Sequence, residues 1–204
     1  SDRFCKINSL VLKFLKKKVM KKIAFVGKSA VGKNHFLDIF TALGYKPAIG
    51  HTTRAPRASE QEGKDYHFVS KEEFADMILR DEFIQFMQFQ GEYYGTTIEE
   101  FEKCDFFITS PTGLENIPDS LRWKIKIAEL ICENKVTMMR RQIRDKSSYE
   151  EHISRNKSDD KLFEDFDQKM KVLGYDHVKI DTTTTVEKWC VEHISKKQPS
   201  TSPC

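Results

Sequence analysis

One short segment constrains this chain more than any other: Gly27-Lys28-Ser29-Ala30-Val31-Gly32-Lys33-Asn34. The apolar run Ile23 to Val26 leads into it and reads as a buried strand. Phe36, Leu37, Ile39, Phe40 and Leu43 follow at helical spacing, and Gly44 supplies the stop. A glycine-rich turn between a strand and a helix has a physical use. Glycines let the backbone curl so that successive N–H groups converge on one point, and the helix N-terminus adds positive potential there. The segment matches the phosphate-cradling pattern G-x-x-x-x-G-K-[ST] except at its last position. Gly27, Ser29, Ala30, Val31 and Gly32 are expected to line the cradle. Lys33 is expected to reach the β- and γ-phosphates of a bound nucleotide. Asn34 stands where a hydroxyl usually holds Mg²⁺, and its amide oxygen is a hard, neutral ligand for the same ion.

The rest of the chain sets this turn in an α/β frame. From Pro47 to Glu92 turn residues are frequent, with short extended segments at Tyr66 to Val69 and Phe83 to Phe89 and one amphipathic helix, Lys71 to Arg80. This reads as an inserted α+β lobe. The strand–helix rhythm then resumes with Phe106 to Ile108, Ile125 to Ile131, a basic helix over Val136 to Asp145 and a short strand at Val178 to Ile180. A last helix is expected over Val186 to Ile194. Lys146 to Asp160 is wholly polar and reads as a mobile flap, and Leu162, Phe163, Phe166 and Met170 fall on one helical face. Alternation of this kind implies a mostly parallel sheet covered on both faces.

Composition bounds the possible partners. The chain has 34 basic and 31 acidic residues, a formal charge of +3, which argues against a general nucleic-acid binder. Its five cysteines are scattered, with no Cys-x-x-Cys pair, so a disulfide framework and a zinc site are not expected and a reducing, cytoplasmic setting fits. No apolar run reaches the roughly 20 residues of a membrane span. Residues 1–19 are basic with a short apolar stretch. They read as an extension ahead of a start at Met20, a targeting or surface-binding segment being the other reading, and residues 197–204 as a disordered tail.

The motif His51-Thr-Thr-Arg54-Ala-Pro-Arg57 resembles the guanylate kinases. The likeness continues through Glu60, Gly63-Lys-Asp-Tyr66-His-Phe-Val-Ser70, Glu73-Phe74, Glu82-Phe83-Ile84 and Gly91-Glu-Tyr-Tyr94-Gly-Thr96, in family order and at family spacing from about Ile23 to Thr96. The resemblance implies a P-loop kinase core (residues 20–46 and 97–196), a monophosphate-binding lobe (47–96) and a helical lid (about 141–160). It implies ATP and Mg²⁺ as cofactors and a nucleoside monophosphate as acceptor. No stable nucleic-acid or membrane partner is implied, and a monomer or homodimer is expected. Arg54, Arg57, Tyr66 and Tyr94 would grip the acceptor's phosphate, with Gln85 and Thr96 at base-reading positions. In the lid, Arg140, Arg144 and Arg155 would meet the ATP phosphates and join Lys33 in catalysis, with Arg141 a rival for Arg140.

Three departures from the family qualify this picture. The strand from Phe106 ends in Thr109-Ser110-Pro111, where guanylate kinases carry two aspartates; the nearest acid, Asp105, lies at the wrong end of the strand. Gln85 aligns with the guanine-reading glutamate, and Gly50 with a serine that assists base recognition. A carboxylate accepts two hydrogen bonds, whereas a glutamine amide accepts one and donates one. That pattern suits thymine or uracil, and also guanine's N1–H and O6 with the exocyclic amine unmatched. The expectation is a nucleoside monophosphate kinase with base preference altered from guanine. The alternative is a catalytically inactive guanylate-kinase-like binding or scaffold domain. A P-loop enzyme acting on a modified base within DNA is a more distant rival.

Overall fold

The structure is a computed structural model that describes residues 21–58, 60–145 and 148–182. The extension at 1–19, the helix expected over Val186 to Ile194 and the tail at 197–204 lie outside the described residues. Strand β1 (Lys22–Val26) lies at the centre of a wholly parallel sheet. It pairs with β6 (Phe106–Ile108) on one side and β7 (Ile125–Ile131) on the other, and β8 (Asp176–Asp181) extends the sheet beyond β7. The order is therefore β6-β1-β7-β8.

Side chains alternate along these strands and feed two cores, one on each face. Ala24, Val26, Phe107, Ile125 and Ile127 point to one face. They are covered by Phe101 from α3 (Ile98–Lys103), Leu114 from α4 (Pro111–Asn116) and Phe166 and Met170 from α8 (Phe166–Val172). Phe25, Phe106, Ala128, Leu130 and Val178 point the other way, onto Phe36 and Phe40 of α1 (Lys33–Ala42). The Phe25 ring meets Phe36, Phe40 and Phe106 at centroid distances of 5.7, 5.1 and 5.8 Å. Burial on both faces explains why β1 reads as a continuous apolar run from Ile23 to Val26. A four-residue helix, α5 (Asp119–Arg122), links α4 to β7.

A second four-stranded sheet forms the inserted lobe, in the order β3-β2-β5-β4. Its strands are β2 (His51–Thr52), β3 (His67–Phe68), β4 (Phe83–Phe89) and β5 (Glu92–Thr97). Gln90 and Gly91 both have positive φ, 53° and 80°, and close the β4–β5 hairpin as a two-residue turn. Helix α2 (Lys71–Leu79), capped by the Ser70 hydroxyl on the Glu73 amide, presents Phe74 to the sheet. Phe74 stacks on Phe83 at 4.5 Å. Gly95 makes room for that pair, since a Cβ there would lie 2.7 Å from the Phe83 ring.

Two expectations are corrected. The stretch read as a mobile flap is helical over α7 (Tyr149–Leu162) and follows α6 (Asn134–Asp145). Ser148 and Glu151 form a capping box that satisfies the first amides of α7. The apolar face expected from Leu162 to Met170 is divided between two helices. Asp165 adopts a left-handed conformation (φ 54°), which ends the first and starts α8.

The fold also shields one thiol. Cys104 is buried beneath α3, and burial pushes its pKa up to about 12. Cys132, at the end of β7, is half-buried. Iodoacetamide labelling at pH 8, read by peptide mass spectrometry, is expected to modify Cys132 well before Cys104, with Cys104 reacting only after denaturation.

Candidate functional site

The carboxyl ends of β1, β6, β7 and β8 meet at one edge of the parallel sheet, the position where α/β folds form ligand crevices. The turn from Gly27 to Gly32 rises from β1 into this crevice. Its shape is tightly specified. A Cβ on Gly27 would lie 2.5 Å from the Leu130 carbonyl oxygen and 2.9 Å from Val31 Cγ1, so only glycine fits beside β7. Ala30 and Gly32 take positive φ, 61° and 106°. The Thr182 hydroxyl donates to the Val31 carbonyl at 2.7 Å and ties the turn to the end of β8. Lys33 opens α1, and its ammonium folds back onto the carbonyls of Gly27 (2.5 Å) and Lys28 (2.9 Å). Asn34 follows it, exposed to solvent.

Helix α6 adds two arginines from adjacent positions. Arg140 donates to the Val31 carbonyl and the Thr182 carbonyl, both at 3.1 Å. Arg141 is only 1% exposed. Its Nη2 donates at 2.9 Å to both the Ser29 carbonyl and Asp159 Oδ2, and its Nη1 donates at 2.9 Å to Asn156 Oδ1. Both candidates therefore reach the turn, by different contacts. The same Asp159 oxygen accepts the Ser29 backbone N–H at 2.9 Å, and the neighbouring Asp160 pairs with Lys28. His152 lies against Arg141; burial and the nearby Arg141 and Arg155 guanidinium groups lower its pKa. Arg155 sits one turn further along α7, half-buried. Arg144 lies on α6, and its side chain is outside the described residues.

The acceptor-side candidates gather on the lobe. Glu60 is the hub. Its carboxylate takes both Nη groups of Arg54 at 2.9 Å, the Arg57 backbone N–H at 2.8 Å and Arg57 Nη1 at 3.4 Å. Burial works against the charge on Glu60, but the Arg54 and Arg57 contacts outweigh it and lower the pKa. Arg54 is oriented further by the Tyr66 ring, 5.6 Å from its guanidinium. Tyr66 and Tyr94 meet edge to face at 6.3 Å. Burial raises the Tyr66 pKa, so it remains a neutral phenol donor. Gly50 borders this group: a Cβ there would lie 3.7 Å from the Tyr66 ring.

Gln85 and Thr96 face each other across β4 and β5. Both are buried, and Gln85 Nε2 donates to the Thr96 hydroxyl at 3.0 Å. Gly113, at the start of α4, closes the far side; a Cβ there would lie 2.2 Å from Thr109 Oγ1 and 2.5 Å from Gln85 Oε1. The Thr109 hydroxyl is buried without a hydrogen-bond partner, and the Thr109 amide donates to the Phe25 carbonyl of β1 at 3.0 Å. The lobe thus meets the core where β4 packs against α4. Ser110 caps α4 through the Gly113 amide. The sequence reading did not single out Asp159, Asp160 or Thr182, nor Glu60 as the hub of the arginines. For Asp159 a signal existed: it lies seven residues after His152, on the same face of a helix announced by its capping box.

Residues 19–105 match the family model for guanylate kinase. The guanylate kinase of Schizosaccharomyces pombe is 38% identical over 91 residues, covering 42% of this chain and 44% of that one. Those of Geobacter metallireducens and Wigglesworthia glossinidia brevipalpis are 39% and 33% identical over 93 and 121 residues. This stretch is similar in sequence to the guanylate kinases. The chain spans 44%, 42% and 58% of the length of these three relatives. The crystal structure of guanylate kinase from Anaplasma phagocytophilum superposes with a TM-score of 0.60 at 19% identity, over 89% of each chain, and shows the same fold. The guanylate kinase likeness in sequence thus covers the turn and the lobe, while the fold likeness runs on through the second half.

The close approach of Gly27 to β7 gives a direct check. Gly27→Ala is expected to destabilise the chain by about 1–3 kcal/mol through overpacking against Leu130. Gly44→Ala, with open space around its Cβ, carries only the cost of a positive φ. Urea denaturation of the two variants measures the difference.

Proposed function

We propose that the chain is an ATP-dependent nucleoside monophosphate kinase, guanylate-kinase-like in its phosphate chemistry and altered in its base preference. The observation that carries the reading is the pairing of two candidate phosphate-binding sets, the turn with Lys33 on the core and the Arg54–Arg57–Tyr66–Tyr94 group on the lobe, with Gln85 of the lobe close to Gly113 of the core. A dianionic phosphate would replace Glu60 in part as the partner of Arg54 and Arg57, because a guanidinium fork matches phosphate oxygens as well as it does a carboxylate.

In this reading the turn amides and Lys33 hold the β- and γ-phosphates of ATP, and the lobe aligns the acceptor's phosphate oxygen for in-line attack. That oxygen is already anionic, so alignment and charge stabilisation carry the catalysis without a side-chain nucleophile or strong base. Arg140, Arg144 and Arg155 supply further positive charge. Mg²⁺ fits as an ion held mainly by nucleotide phosphates and water. Asn34 is exposed at the turn and offers a neutral oxygen. The carboxylates that reach the turn, Asp159 and Asp160, are engaged by Ser29, Arg141 and Lys28. Bound there, the ion would offset charge on the transferring phosphoryl group.

The base end supports altered specificity. Gln85 gives one of its two amide N–H groups to Thr96, and its Oε1 lies near the same point as the unpartnered Thr109 hydroxyl. Oε1 can accept the N3–H of thymine or uracil while an N–H or hydroxyl donates to the neighbouring carbonyl, a donor that a carboxylate at position 85 would lack.

An ADP-release assay with GMP, dGMP, dTMP, dUMP and dCMP tests the proposal. Turnover with at least one acceptor is expected, falling about 100-fold or more in Lys33→Ala. Absence of turnover with every acceptor would favour a binding or scaffold role. Gln85→Glu is expected to shift kcat/KM toward GMP about tenfold or more, the effect of one buried hydrogen-bond match. A wild-type enzyme that already prefers GMP strongly over the other four would overturn the altered-base reading.

A further inference from the structure

The phosphate-binding turn is not open in this structure. A carboxylate from the chain's own α7 stands against it. Asp159 Oδ2 accepts the Ser29 N–H and an Arg141 Nη2–H, each at 2.9 Å, and Asp159 is only 7% exposed. The adjacent Asp160 pairs with Lys28 of the same turn. A backbone N–H at the turn with a buried guanidinium beside it makes an anion site, and what such a site recognises is a negatively charged oxygen rather than one particular molecule. Carboxylate and phosphate oxygens compete for it on equal chemical terms.

We propose that the Asp159 carboxylate, backed by Asp160, is an internal ligand of the phosphate-binding turn, held in the place of a nucleotide phosphate and displaced when one binds. The inference rests on the reading of the turn as a phosphate site. Its physical basis is exclusion. Two anions cannot share the Ser29 amide without repulsion at close range, so nucleotide binding and the α7 contact are mutually opposed. Linkage then makes the coupling reciprocal: a phosphate weakens the contact of α7 with the turn by the factor by which that contact weakens the phosphate. Arg141 also donates to the Ser29 carbonyl, a contact to the turn that does not involve Asp159.

A carboxylate that merely supports the turn makes the opposite prediction, because its removal loosens the site and weakens binding. Calorimetric titration of the full chain with ADP, and separately with tripolyphosphate, separates the two. Asp159→Asn keeps the side chain's shape and removes its charge. It is expected to bind both ligands more tightly than wild type, by about fivefold or more, the usual scale of coupling between sites. Equal or weaker binding by a variant whose circular dichroism matches wild type would overturn the proposal and leave the proposed function standing. If neither wild type nor variant binds either ligand, the phosphate-site reading falls, and the internal-ligand proposal with it. Should Asp159→Asn fail to fold, Asp160→Asn carries the test, since that side chain is 55% exposed. Tighter binding supports the proposal, and unchanged binding overturns it.

Discussion

The structure depends most on the approach of the Gly27 backbone to β7. At that point the parallel sheet, the turn and α1 must coincide within van der Waals contact, and no residue with a Cβ meets the condition. Because β1 is flanked by β6 and β7 and buried on both faces, the turn inherits a rigid base. Everything proposed about phosphate binding follows from where that base points its amides. Thr182 from β8 and Arg140 from α6 then secure the Val31 carbonyl from two further elements. The turn is fixed from below by packing and from the side by hydrogen bonds.

The lobe obeys a different physical rule. Its sheet is small, and its order comes from aromatic stacking around Phe74 and from Glu60, which gathers two arginines that would otherwise repel. Near α7 the same logic recurs, with Asp159 in contact with Arg141 and Ser29. On both sides of the crevice, acidic side chains hold the cationic groups in place.

Much of this was legible in the sequence. The strands could be read from short, mostly apolar segments: β4, β6 and β7 begin and end where the sequence pattern indicated. The turn could be read because its glycines answer to backbone geometry alone. Helix α7 was not legible by periodicity. Its residues are polar on nearly every face, and its buried positions, His152 and Asp159, are polar side chains satisfied by Arg141 and its neighbours. Hydrophobic patterning cannot reveal a helix that docks through hydrogen bonds; notice of it came from the helical lid that the family resemblance implies and from the capping box at Ser148. The break at Asp165 was hidden for a related reason, since a left-handed aspartate leaves no mark on an apolar spacing that continues across it. The base pocket stands between these cases. Gln85 was visible as a departure, but its engagement with Thr96 and its closeness to Gly113 are long-range contacts that no local pattern encodes.

The central claim is that the turn binds the phosphates of a nucleotide and that α7 yields to them. Hydrogen–deuterium exchange with and without ATP·Mg²⁺ tests it most directly. The account predicts slower exchange at the amides of residues 28–34 on adding nucleotide, together with faster exchange across residues 156–162. Unchanged exchange in the turn at saturating nucleotide would contradict it.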